Sequence, residues 1–265
     1  MSTAAVPEHT TAEVWRRIGR SAGYVAGIGL FVGTLLFLLD ALDALGASPD
    51  YHVTAAGPMQ DEANFWVAYF AHQHHILWDI IGRDSLFPLA FVALIVLSLA
   101  IGNLVGYERP QVQLMVVFFV VGGVLSALAD LLYLGGTDYW RVTGWSADPP
   151  ARMVSVGRSS TAVEALTRWP EAAGFLLLAA ALVCLGRLAG TQAQLSSRLT
   201  LLVNVEALLL VGIAVAGVMQ SDTAYDIFSL LTGALVGPAV ALGLGRHFGR
   251  PATNRPIAES APVAL

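Results

Sequence analysis

Apolar residues fall into six long runs, residues 23–45, 86–105, 112–134, 172–188, 199–219 and 227–245, separated by polar turns. Each approaches the roughly 20 residues that cross a hydrocarbon core about 30 Å thick, where a backbone finds no hydrogen-bond partner outside its own helix. The pattern predicts an all-α fold, a polytopic transmembrane helical bundle of about six spans. A single transmembrane domain over residues 13–248 follows. The flanking stretches 1–12 and 249–265 lack apolar periodicity and are expected to be disordered tails.

Between the first and second runs, residues 62–82 read as an amphipathic helix lying in the membrane interface. Phe65, Ala68, His72, His75, Asp79 and Arg83 fall on one helical stripe, whereas Trp66, Phe70, Leu77 and Ile81 face the other way. A seventh span is the rival for this stretch, but it would bury three histidines, Gln73 and Asp79. Pro88 suits the first turn of the second span, with Asp84 or Ser85 as its cap. Trp169-Pro170-Glu171 suits the start of the fourth. Residues 135–168 then read as a long loop over the bundle mouth, a lid with a short helix at 159–166.

Lipid tails give helices no hydrophobic reason to associate, so stripes of small residues mark the contacts. The first span carries Gly23 with Gly27 and Gly29 with Gly33; the last carries Gly233, Gly237, Ala241 and Gly245, with Pro238 expected to kink it. In the third, Gly122, Ser126 and Asp130 share one face, which carries a carboxylate towards protein rather than lipid. The expected product is a compact monomeric bundle. No internal duplication is visible, which argues against a transporter built on inverted repeats.

Composition reinforces the membrane reading: 56% of residues are hydrophobic, 12% are charged, and the mean hydropathy is +0.67. A soluble domain carries about twice that charge fraction. Cys184, alone and inside an apolar run, excludes an intrachain disulfide. The net charge of −5 says less than its placement. Arg16, Arg17, Arg20, Arg109, Arg187, Arg198, Arg246, Arg250 and Arg255 all fall on one side of a six-span chain, so the positive-inside rule predicts a multi-pass cell-membrane protein with both termini cytoplasmic. A cleaved signal peptide is the rival for the first run, with small residues near Ala44 and Ala47, but Asp40 and Asp43 interrupt its end.

Candidate chemistry gathers at the exterior ends. Asp40, Asp43, Asp130, Tyr133, Asp222, Tyr225 and Asp226 close spans there, and most tryptophans are assigned to the same side. The aromatic and charged residues Trp66, Trp78, Arg83, Asp130, Tyr133, Trp140 and Trp145 are candidate ligand contacts. His72, His75 and Asp79, at i, i+3 and i+7, are candidate ligands for a divalent metal ion; the alternative is that they bond loop backbone and Arg83. Glu206 lies about two turns into the fifth span, where a carboxylate must be neutral, paired or facing water. Asp130, Asp40, Asp226 and Glu206 are the candidate acids or bases.

Three functions remain open. The first is a non-catalytic membrane protein whose exterior aromatic and acidic pocket receives a small apolar or amphiphilic ligand or a partner subunit, with the lipid bilayer as its constant partner. The second is a membrane-embedded enzyme acting on a lipid-like or isoprenoid substrate by acid–base or metal-assisted chemistry. The third is a proton-coupled transporter using Glu206. Walker, dinucleotide, HExxH, CxxC and serine-elbow motifs are absent from the sequence. Basic residues are too few and too dispersed for nucleic-acid binding. The order Arg17-Ile18-Gly19-Arg20-Ser21-Ala22-Gly23, a long exterior loop and then Arg83-Asp84-Ser85-Leu86-Phe87 resembles uncharacterised bacterial six-helix integral membrane proteins over residues 16 to about 134. The resemblance implies a membrane fold and no catalytic residues.

Overall fold

The computed structural model describes residues 8–143, 149–189 and 194–250. These form α1 (Glu8–Ala41), α2 (Pro58–His75), α3 (Leu77–Val105), α4 (Pro110–Thr143), α5 (Pro150–Leu188), α6 (Ser197–Val218) and α7 (Asp222–Leu230), then a π-turn (Leu231–Val236) that runs into α8 (Gly237–Phe248). The described residues contain no strand. Six helical segments are long and apolar enough to span a membrane: α1, α3, α4, α5, α6 and the continuous α7–α8 rod. The chain is an integral membrane protein with an all-α, six-span bundle.

The spans form a closed ring. Each packs against the next, α1 on α3, α3 on α4, α4 on α5 and α5 on α6, and the last span closes on both α6 and α1. The glycine stripes are the closure: a Cβ at Gly23 would lie 2.6 Å from the Ala241 carbonyl oxygen and 2.7 Å from Gly245 Cα, so only glycine lets α1 and α8 meet this closely. On the other side of α1, Gly29 faces Ala90 and Gly33 faces Phe87 of α3. Outward faces are apolar, as at Ile28, Phe31, Val117, Val124, Leu201 and Leu208, which suits lipid.

The main core fills one half of the ring. Ile101, Val112, Met115, Leu185, Leu188, Val203, Leu244 and Phe248, close to the turns on the same side as the termini, are buried in one cluster. That end is plugged by side chains. The opposite half is not.

Several helices are longer than the apolar runs. α5 has 39 residues, about 58 Å at 1.5 Å per residue, so it extends well past a hydrocarbon core about 30 Å thick. The fourth span therefore does not start at Trp169: Pro170 and Glu171 lie inside α5, and residues 159–166 belong to the same helix rather than to a lid. The Glu164–Arg168 pair, four residues apart, bridges the turn before Pro170. Pro150 occupies the first turn instead, where its missing N–H costs nothing. Similarly, α3 starts at Leu77, which places Asp84, Ser85 and Pro88 in its interior rather than at a cap.

The expected helix over 62–82 is two helices. α2 ends at His75 and α3 begins at Leu77, with Ile76 (φ −96°, ψ 18°) outside helical geometry between them. α2 packs on the part of α5 that precedes Pro170, through Ala63, Phe70, Met153 and Val156, and the Trp66 ring covers Gly157. α1 begins at Glu8, so residues 8–12 are helical; the remaining stretches expected as tails, 1–7 and 251–265, lie outside the described residues.

Candidate functional site

The half of the ring that the core leaves unfilled holds a cavity of about 390 Å³. Every span contributes to its lining: Leu30, Thr34 and Phe37 from α1; Asp84, Phe87, Phe91 and Leu94 from α3; Phe119, Asp130 and Tyr133 from α4. α5 supplies Glu164, Thr167, Glu171, Phe175, Leu178 and Leu182, and α6 supplies Glu206, Leu210 and Ile213. The last span adds Tyr225, Asp226, Ser229, Thr232, Gly233 and Gly237. Phenyl rings and leucines make the shaft, and ionisable groups cluster at the mouth.

At the mouth, Arg83 Nε donates to Asp84 Oδ1 at 3.0 Å and its Nη1 reaches Asp40 Oδ2 at 3.4 Å. The Arg83 guanidinium also lies 5.8 Å from the Phe37 ring centre. His72 Nε2 is 3.7 Å from Asp40 Oδ1. Across the cavity, Arg168 donates to Glu164 at 2.7 Å and lies 3.6 Å from Asp222. The Tyr225 hydroxyl donates to Glu171 Oε1 at 2.6 Å. Asp130 Oδ2 is buried with no hydrogen-bond partner among the described residues.

Seven acidic residues line the cavity (Asp84, Asp130, Glu164, Glu171, Glu206, Asp222 and Asp226) against two basic ones, Arg83 and Arg168. Both arginines are engaged by carboxylates. The site is therefore an electronegative pocket with an apolar interior, suited to a group that donates hydrogen bonds or carries positive charge.

At the floor, Glu206 is 5% exposed and its Oε2 has no hydrogen-bond partner among the described residues. It faces the π-turn of the last span, where the Gly237 N–H donates to the Thr232 carbonyl five residues back. Pro238, next in sequence, has no N–H to give, which loosens the ladder at this turn. The expected kink at Pro238 thus takes the form of a widened turn just before it.

Beside the mouth, α2 is tied down by polar contacts. Thr54 donates to Asp61 from its hydroxyl and, at 2.9 Å, from its amide, and these bonds hold the Asp61 carboxyl below its usual range. Arg158 of α5 grips Glu62 with both nitrogens, at 3.0 and 2.9 Å, and that bond holds the Glu62 carboxyl low as well.

The predicted residues divide. Arg83, Asp130, Tyr133, Asp226 and Glu206 line the cavity, and Asp40 sits behind Arg83. Trp66 packs between α2 and α5, away from the cavity, and Trp78 is 83% exposed on the outer surface. Trp140 and Trp145 lie outside the residues whose side chains are described. His72, His75 and Asp79 do not share a helix face: Asp79 belongs to α3, and His75 is exposed while His72 turns towards Asp40. Among the described residues no group of three or more His, Cys, Asp or Glu side chains is placed to hold a metal ion.

Sequence reasoning placed Tyr225 at this end but missed Glu171, Thr34 and Thr232 as cavity-lining residues. Their signal was periodic: Glu164, Thr167, Glu171, Phe175, Leu178 and Leu182 continue one stripe through Pro170, and Leu30, Thr34 and Phe37 do the same on α1. A scan against protein-family models, a search of curated proteins and a search of solved structures each found no match for this chain.

Proposed function

We propose that this membrane protein binds a small amphiphile with a basic head group, its head among the mouth carboxylates and its tail in the aromatic shaft. One observation carries this reading: an acidic mouth opens onto an apolar shaft of about 390 Å³, within the roughly 300–1,000 Å³ of small-molecule sites. Asp130 and Glu171 are the head-group contacts, because neither has an arginine partner within hydrogen-bond reach among the described residues. Phe87, Phe91, Phe119 and Phe175 hold the tail, and ring faces favour a cation passing over them.

The mouth faces the exterior. Six spans put the α3–α4 turn, the α5–α6 turn and both ends of the described chain on one side, which gathers Arg16, Arg17, Arg20, Arg109, Arg187, Arg198, Arg246 and Arg250 there. The positive-inside rule makes that side cytoplasmic. Arg83, Arg158 and Arg168 on the other side are matched by Asp84, Glu62 and Glu164.

Thermal unfolding of the purified protein with octylamine or octanoate tests the reading, since both probes carry the same tail. Octylamine should raise Tm saturably and octanoate should not. Asp130→Asn should weaken octylamine binding by about ten- to a hundredfold, the order of magnitude of one charge-assisted hydrogen bond of roughly 1.5–3 kcal/mol. Equal responses to the two probes, or an Asp130→Asn protein that binds octylamine as wild type does, would refute it.

A further inference from the structure

The geometry points to a second site at the floor of the same cavity, a site for a small monovalent cation of sodium size, built from Glu206, Thr232 and Thr34. It does not depend on what fills the mouth. Three segments converge there: α6 brings a buried carboxylate, the π-turn brings a hydroxyl and a carbonyl, and α1 brings a second hydroxyl. Two of these oxygens, Glu206 Oε2 and Thr232 Oγ1, are buried without hydrogen-bond partners among the described residues. A buried carboxylate in that condition is costly; protonation, a counter-ion or a bound cation relieves it, and the oxygens gathered around Glu206 favour the cation.

Glycine makes the room. A Cβ at Gly237 would stand 3.0 Å from Glu206 Oε1 and 2.6 Å from the Thr232 carbonyl oxygen, so glycine lets the Glu206 carboxylate close on the helix beside that carbonyl. One turn earlier, a Cβ at Gly233 would collide with the Thr34 hydroxyl. Polar side chains from α1 and α6 therefore enter the last span at its two glycines, where the helix is widened. The donors are all oxygens, which suits a hard cation and not zinc or copper. π-turns recur at functional positions, and irregular backbone at membrane depth is tolerated where it lines a cavity. Backbone carbonyls at breaks in membrane helices coordinate sodium in other membrane proteins.

The test is thermal unfolding of the full-length purified protein in sodium chloride against choline chloride at equal ionic strength and fixed pH. Wild type should show a saturable, sodium-specific rise in Tm of a few degrees at about tenfold excess over the dissociation constant. Glu206→Gln and Thr232→Val should each fold in choline chloride and lose that rise. Gly237→Ala, whose Cβ would press on both oxygens, should lose it too. A wild-type Tm that is equal in the two salts would overturn the site. So would an unchanged sodium response in Thr232→Val, which remains informative if Glu206→Gln does not fold. Loss of the octylamine response alone would count against the amphiphile and leave the cation site standing.

Discussion

Gly174 sits in a close contact between α4 and α5. A Cβ there would lie 2.4 Å from Ser126 Oγ and 2.9 Å from the Gly122 carbonyl oxygen. Gly174→Val must push the helices apart and should cost about 1–3 kcal/mol, read as a fall in Tm, whereas Ser126→Ala removes a buried hydroxyl without a partner and should be nearly neutral. Equal losses in the two variants would show that the contact is not set by the glycine. This contact was half visible in the sequence. Gly122, Ser126 and Asp130 at four-residue spacing announce a buried face, and they do face α5 and the cavity. The partner of that face was not visible, because the pairing joins residues about fifty positions apart. The Tyr225–Glu171 bond was hidden for the same reason: spacing along one helix says nothing of which neighbour it meets.

α2 is held to α5 by an ion pair as well as by apolar packing. Glu62 and Asp61 both have carboxyls held below their ordinary values of 4.5 and 3.8, by Arg158 and by Thr54 respectively. A depressed carboxyl stabilises fully above its unfolded value and loses that contribution as pH falls through the folded one. The docking of α2 on α5 should therefore hold from neutrality down to about pH 4.5 and loosen below it. A fluorophore at Gln60→Cys, in a Cys184→Ser background, would report this through its accessibility to a soluble quencher. Arg158→Ala should loosen α2 already at pH 7 and flatten the profile below pH 4.5. Identical profiles would remove the Glu62–Arg158 pair from the account. The existence of a helix here was legible from its apolar periodicity. The break at Ile76 was not, because no glycine or proline marks it, and that break separates Asp79 from the histidines. The reverse error occurred in α5, where Pro170 and flanking charges imitate a helix start although the helix runs through them.

For the whole molecule, hydrophobic run length was enough to set the number of spans, since the bilayer imposes one length on all of them. It could not reveal the ring or the cavity, which arise from how six stripes face one another. On the function proposed above, these stripes enclose a shaft that is reached from outside the cell. Ser229 lines that shaft, whereas Leu208 points outward from α6 and is 73% exposed. In a Cys184→Ser background, a membrane-impermeant thiol reagent added to intact cells should label Ser229→Cys and not Leu208→Cys, and octylamine should slow the labelling. Labelling of Ser229→Cys only after the cells are opened, or at a rate that octylamine leaves unchanged, would contradict the account.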